Sequence, residues 1–187
     1  MKIKHNNQGF SLVELIVVIV IMAIMIGVTT LSLSLLFGTQ ARGCAQKVSS
    51  QLNQTKTGSM SRYDEKMKLS YCTKGSGAAV TSDGYYTENF VYTMDKDANS
   101  VALKESEIKK MGSPRVEIVV YLSDNTFFTL GKTDSITISY DRASGALDPI
   151  IINEEQKDVY LDKITFSSGL RTYTITMTAK TGKHTLT

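Results

Sequence analysis

Between Leu15 and Phe37 the chain contains no charged residue. No other feature constrains the fold as strongly. As a helix this block would reach roughly 35 Å, against a bilayer hydrocarbon core of about 30 Å. It is preceded by Met1-Lys2-Ile3-Lys4-His5-Asn6-Asn7-Gln8-Gly9, which carries positive charge and no acid. The block therefore reads as a transmembrane helix with its basic flank cytoplasmic and the C-terminal part outside. Its length and the lack of a small-x-small sequence after it argue against a conventional cleaved signal peptide. A plain signal anchor fits length and orientation but leaves Glu14 unexplained. An acid inside an apolar block costs about 2.5–3.5 kcal/mol at the helix centre and less near an interface, so such residues usually have a task and a partner.

Overall composition is 42% hydrophobic with a net charge of +3, too slight a basic excess to indicate nucleic acid by itself. With the apolar block set aside, the rest is polar and rich in Thr, Ser, Lys and Tyr. That pattern excludes both a polytopic membrane protein and a plain cytosolic globule. Two cysteines, Cys44 and Cys72, are too few for a disulfide-scaffolded mini-protein or a four-ligand zinc site.

The string Gly9-Phe10-Ser11-Leu12-Val13-Glu14-Leu15-Ile16-Val17-Val18 closely resembles the start of the type IV prepilin family, which includes type IV pilins and type II secretion pseudopilins. The family pattern is a short basic leader ending in Gly, then Phe, then an acid as fifth residue of the mature chain, then about twenty apolar residues. The resemblance implies cleavage between Gly9 and Phe10 by a prepilin peptidase and N-methylation of Phe10. It also implies packing of the subunit with other pilin or pseudopilin subunits, by way of an inner-membrane assembly platform. In that setting Glu14 is the assembly residue. Its carboxylate can meet the cationic amino group of a neighbour's Phe10, neutralising two charges that are each costly in an apolar filament and fixing axial register. Many filament-forming members carry Pro in the membrane half of the helix. Here the prolines are Pro114 and Pro149.

The helix is predicted to continue. Phe37, Ala41, Cys44, Val48, Leu52 and Thr55 recur at helical spacing, so one helix is expected from about Phe10 to about Lys56, with Gly58 as its C-terminal stop. After about Lys66 the period changes from 3.6 to 2. Strands are predicted at Lys68–Thr73, Tyr85–Met94, Ser100–Lys104, Arg115–Leu122, Thr126–Leu130, Ser135–Tyr140, Val159–Ser167 and Arg171–Thr178, and a short helical interruption at Glu105–Met111. Turn pairs such as Asp124-Asn125, Ser144-Gly145, Ser168-Gly169 and Thr181-Gly182 separate them. The expected fold is α+β, a long N-terminal helix with a transmembrane and an amphipathic half, packed on a C-terminal antiparallel β domain. The expected segments are a leader at 1–9, the transmembrane half at 10–37, the amphipathic half at 38–58 and an extracytoplasmic β domain at 59–187. The run Ser135–Gly145 with Ile164–Gly169 and Tyr173–Met177 further resembles the minor pseudopilin H class.

No GxSxG, HExxH, Walker A or dinucleotide motif occurs, so the chain reads as a structural subunit, with no catalytic residue, metal or cofactor expected. Asp95, Asp97 and Asn99 look like the start of a calcium loop but lack its Gly and distal Glu, and read as a solvated turn. A Cys44–Cys72 disulfide would close a loop of about 28 residues and contribute on the order of 3–4 kcal/mol, stapling sheet to helix. Two buried thiols are the alternative. Arg171, Lys180, Lys183 and His184 form a basic run near the C-terminus, either a DNA-binding patch or a solvated hairpin edge. Three functions follow: a pilus or pseudopilus subunit, a DNA-uptake minor pilin, or a signal-anchored surface module that never polymerises. The expected location is a single-pass membrane protein with a cytoplasmic N-terminus, and then the filament.

Overall fold

The computed structural model describes residues 11–61, 64–94 and 101–187, with side chains outside 28–37, 64, 92–94 and 101–106. Expectations for residues 1–10, for Asp95, Asp97 and Asn99, and for a strand beginning at Ser100 lie outside the described residues. The chain divides into two compact units, Met1–Leu36 and Phe37–Thr187. One helix, α1, runs Leu12–Ser61.

In the first unit, α1 begins at a side-chain cap. Val13 N donates to Ser11 Oγ at 3.2 Å, and Leu15 N donates to Ser11 O at 3.2 Å. These bonds satisfy amide groups that have no partner within the helix. Beyond the cap, every large apolar residue described from Leu12 to Ile26 is exposed. Valine and isoleucine are indifferent helix formers in water. Among the described residues no helix is long and apolar enough to cross a membrane. The described apolar side chains end at Ile26, about 21 Å from Leu12 along a helix, which is short of the ~30 Å hydrocarbon core.

In the second unit the helix is amphipathic, as its spacing predicts. Ala41, Cys44, Val48, Leu52 and Thr55 are all buried, and Ala45, Gln51 and Ser59 widen the stripe. Gly58 does not end the helix, which continues to Ser61. A methyl group at Gly58 would stand 1.6 Å from Glu65 Oε2. The glycine is there to admit the Glu65 carboxylate against the helix, and three further residues follow it.

The strands are β1 (Asp64–Cys72), β2 (Gly84–Met94), β3 (Val101–Gly112), β4 (Glu117–Leu122), β5 (Phe127–Thr129), β6 (Ser135–Ser139), β7 (Ile151–Ile152), β8 (Glu155–Gln156), β9 (Leu161–Ser168), β10 (Arg171–Thr178) and β11 (Lys183–Leu186). They form two antiparallel sheets, ordered β3-β2-β1-β6-β7-β8 and β11-β10-β9-β4-β5. The predicted helical interruption at Glu105–Met111 is instead the second half of β3. Its Lys and Glu residues favour helix locally, but the segment pairs with β2 from Tyr85↔Gly112 to Met94↔Val101, and that pairing prevails.

Both sheets and the helix share one core. Met67, Leu69, Ile136 and Ile138 come from the first sheet, Ile118, Val120, Ile164, Phe166 and Ile175 from the second, and Cys44, Val48 and Leu52 from α1. The sheets also meet at two turns. Leu147 N donates to Ala179 O at 2.8 Å, and Gly182 (φ 57°) lies against the Ser144-Gly145 turn. A methyl at Gly182 would be 2.1 Å from Gly145 O, which is backbone and cannot swing aside. Gly182→Ala combines this clash with a left-handed backbone. It should lower unfolding free energy by about 1–3 kcal/mol, read by denaturant titration of the full chain in detergent.

Candidate processing and assembly site

Gly9 and Phe10, the expected cleavage pair, lie outside the described residues. The structure begins at the next residue, Ser11, and makes it the helix cap. Glu14 is then the acid of the first turn. Ser11-Leu12-Val13-Glu14 has the spacing of a capping box, a role for Glu14 beside the assembly role expected of it. At this position a carboxylate faces the positive end of the helix dipole, a favourable placement of about 0.3–1 kcal/mol at an exposed site. Glu14 is exposed, as are the apolar residues around it.

Cys44 and Cys72 are both free thiols. The pleat of β1 separates them. Glu65, Met67 and Leu69 point into the core, so Cys72, at an even position, lies on the opposite face of the sheet. There its Sγ is 3.7 Å from Ser70 Oγ. Cys44 faces the core from the helix and packs on Gly112, where a methyl would be 2.7 Å from its sulfur. The expected staple is thus replaced by packing. Burial raises the Cys44 thiol to about 12, with nearby Lys47 pulling weakly the other way. In native protein at pH 8, maleimide should label Cys72 and leave Cys44 unlabelled, whereas denaturant should expose both, as counted by intact mass.

The basic run near the C-terminus is not brought together. Arg171 opens β10, while Lys183 pairs with Thr178 at its far end, about 23 Å along the strand. Lys180 is exposed in the turn between β10 and β11, and Arg171 turns its stem across Gly38. His184 is not part of a cationic surface. Its Nε2 lies 3.0 Å from Ser49 Oγ and 3.1 Å from Ser49 O. The carbonyl can only accept, so Nε2 carries the proton and ties β11 to the helix. Desolvation lowers its pKa, outweighing the bond to Ser49 O. A depressed histidine favours the neutral form. Its contribution is complete above the unfolded value near 6.5 and is lost as pH falls through the folded value. His184 is the sole histidine after His5. Between pH 7.5 and 5.5 the native protein should therefore lose unfolding free energy relative to His184→Gln as pH falls, as measured by denaturant titration of both at each pH.

A family model described as the prokaryotic N-terminal methylation motif matches residues 4–30. No curated protein and no solved structure matches the chain. The match spans the basic leader, Gly9-Phe10, the Ser11 cap, Glu14 and most of the apolar block. The N-terminus of this chain therefore carries the type IV prepilin and pseudopilin signature.

Proposed function

We propose that the chain is a structural subunit of a type IV pilus or type II secretion-like filament. In this reading a prepilin peptidase cleaves it between Gly9 and Phe10 and methylates Phe10, and it is anchored in the membrane by residues 10–37 until assembly. The observation that carries the reading is the capped helix start. A single acid, Glu14, heads a helix whose large apolar side chains from Leu12 to Ile24 are exposed, from 47% at Val18 to 75% at Leu12. Lipid covers such a surface before assembly, and the helices of neighbouring subunits cover it afterwards. The apolar sequence continues to Phe37, which brings the segment to bilayer width.

Cleavage would place an α-ammonium on Phe10, one residue before the cap. The helix dipole disfavours a cation there, and the Glu14 carboxylate offsets it. In a filament the same carboxylate can serve a neighbour's ammonium, so charge neutralisation and axial register are set by one contact. The exported part, from about residue 38, is then the surface by which the filament meets its partners. The separation of Arg171 from Lys180 and Lys183 gives DNA uptake no specific support.

Intact mass of the membrane-extracted protein should give a chain starting at methylated Phe10. In Glu14→Leu, cleavage and membrane insertion should persist, because the cost of placing a charge in the apolar region is removed. Incorporation into sheared filaments should fall at least tenfold. Retention of residues 1–9 would instead indicate a signal-anchored module, and normal incorporation of Glu14→Leu would end the pairing role.

A further inference from the structure

Three segments distant in sequence meet where the globular unit begins. Ser113 Oγ donates to Gln40 Oε1 at 2.8 Å, bringing the β3–β4 loop to the helix. Ser168 Oγ donates to Arg115 O at 3.3 Å, bringing the β9–β10 hairpin to that loop. The stem of Arg171 crosses Gly38, where a methyl would stand 2.8 Å from its Cδ. Residues 38–43, 113–116 and 168–171 contain three charged side chains, Arg42, Arg115 and Arg171, all cationic and all exposed. No acid lies in these segments. The next one along, Glu117, accepts from Ser167 Oγ. Among the described residues, no carboxylate pairs with Arg42 or Arg171.

At the apex of the hairpin stands Leu170. Ser168 pairs with Arg171, leaving Gly169 (φ 63°) and Leu170 as a two-residue turn. The glycine meets the backbone need of the first position, as in a type II′ turn. The second position makes no demand for an apolar side chain, and hydrophilic residues are the ordinary choice in turns. Leu170 is nevertheless 91% exposed, the highest value among the exposed large hydrophobics. A lone exposed leucine needs no explanation by itself. Here it is next to Arg171, whose stem crosses Gly38, one residue after the apolar block ends at Phe37.

We propose that Leu170 with Arg42 and Arg171 forms a face that rests on the bilayer, the arginines on anionic lipid phosphates and Leu170 at the edge of the acyl region. The proposal rests on the membrane anchoring of residues 10–37. Covalent continuity then holds Gly38, and the residues packed around it, at the membrane surface. Arginine suits phosphate through its forked donors, and each basic residue near an anionic surface strengthens docking roughly fivefold. Such a face would hold the exported unit against the membrane until extraction into a filament peels it away.

The test uses the full chain in vesicles, with Cys72→Ser as background. An environment-sensitive dye is placed at Leu170→Cys and, in a separate protein, at Ile21→Cys. Vesicles are phosphatidylcholine with or without about one third phosphatidylglycerol. The expected result is blue-shifted Leu170 emission, quenched by lipids brominated near the headgroup, only where the anionic lipid is present. The docked fraction should fall roughly fivefold in Arg42→Gln and again in Arg171→Met, which keeps the stem over Gly38. Water-like emission at Leu170 with deep quenching at Ile21 would overturn the face and leave the anchoring intact. Water-like emission at both sites would overturn both. A blue shift at Leu170 that ignores lipid charge and grows with protein concentration would assign the tip to a second copy of the chain and overturn the lipid assignment.

Discussion

The buried stripe of the helix is what the rest of the globular unit is built around. Ala41, Cys44, Ala45, Val48 and Leu52 contribute side chains to a core that both sheets also enter. Neither sheet has another helix to close on among the described residues. Each larger side chain in that stripe contributes on the order of 1.5–3 kcal/mol through burial. The same helix, one residue before Gly38, belongs to a stretch with no charge at all. The signature found at residues 4–30 covers the start of that stretch together with Glu14 and the leader residues before it.

Much of this was legible in the sequence because it is periodic. The stripe from Ala41 to Thr55 repeats every three or four residues, and each member is buried where the spacing puts it. Arg171–Thr178 alternates cleanly and is β10 to the residue. The failures occur where a local signal was outweighed or missing. Glu105–Met111 has helical composition but lies beside β2, whose pairing fixes it as strand. Gly58 has the look of a helix stop but is a space for Glu65. The β7–β8 hairpin turns on Asn153 (φ 51°) and Glu154 (φ 70°). Glutamate in a left-handed conformation gives no turn signal, so the hairpin was invisible. The strand β11 is only four residues long, Lys183–Leu186, too short for its alternation to stand out.

The candidate sites divide along the same line. Gly9, Phe10 and Glu14 are marked by a fixed spacing of unusual residues, and the matched motif at residues 4–30 spans that spacing. Cys44 and Cys72 could not be decided, since sequence distance says nothing about which face of β1 each meets. The parity of the pleat decides it, with Leu69 inward and Cys72 outward. Arg171, Lys180 and Lys183 are neighbours in sequence, but an extended strand carries Arg171 to the opposite end of the sheet. Conversely, Arg42, Arg115 and Arg171 are widely separated in sequence and share one end of the unit, a grouping that only the tertiary fold supplies.

Two titratable groups at the helix show how the core treats charge. Glu65 lies under the end of α1, where Asn89 Nδ2 donates to its Oε1 at 2.9 Å and Ser59 Oγ donates to its carbonyl at 2.8 Å. Burial raises the Glu65 pKa above 4.5, against the lowering effects of Asn89 and Lys109. Its stabilising contribution is therefore complete below the unfolded value and is lost as pH rises through the folded one. His184 behaves in the opposite sense, gaining on the alkaline side of its unfolded value because its folded pKa is depressed. In both, desolvation favours the neutral side chain and outweighs a hydrogen bond that favours the charged one. Raising one value and lowering the other narrows the interval in which both groups are charged. The helix meets the sheets through Ser49 and Ser59 and also through the Lys56 ammonium, which donates to Thr181 O at 2.7 Å. The unit's cationic groups are left to its outer surface, and at the Gly38 end they stand beside its most exposed leucine.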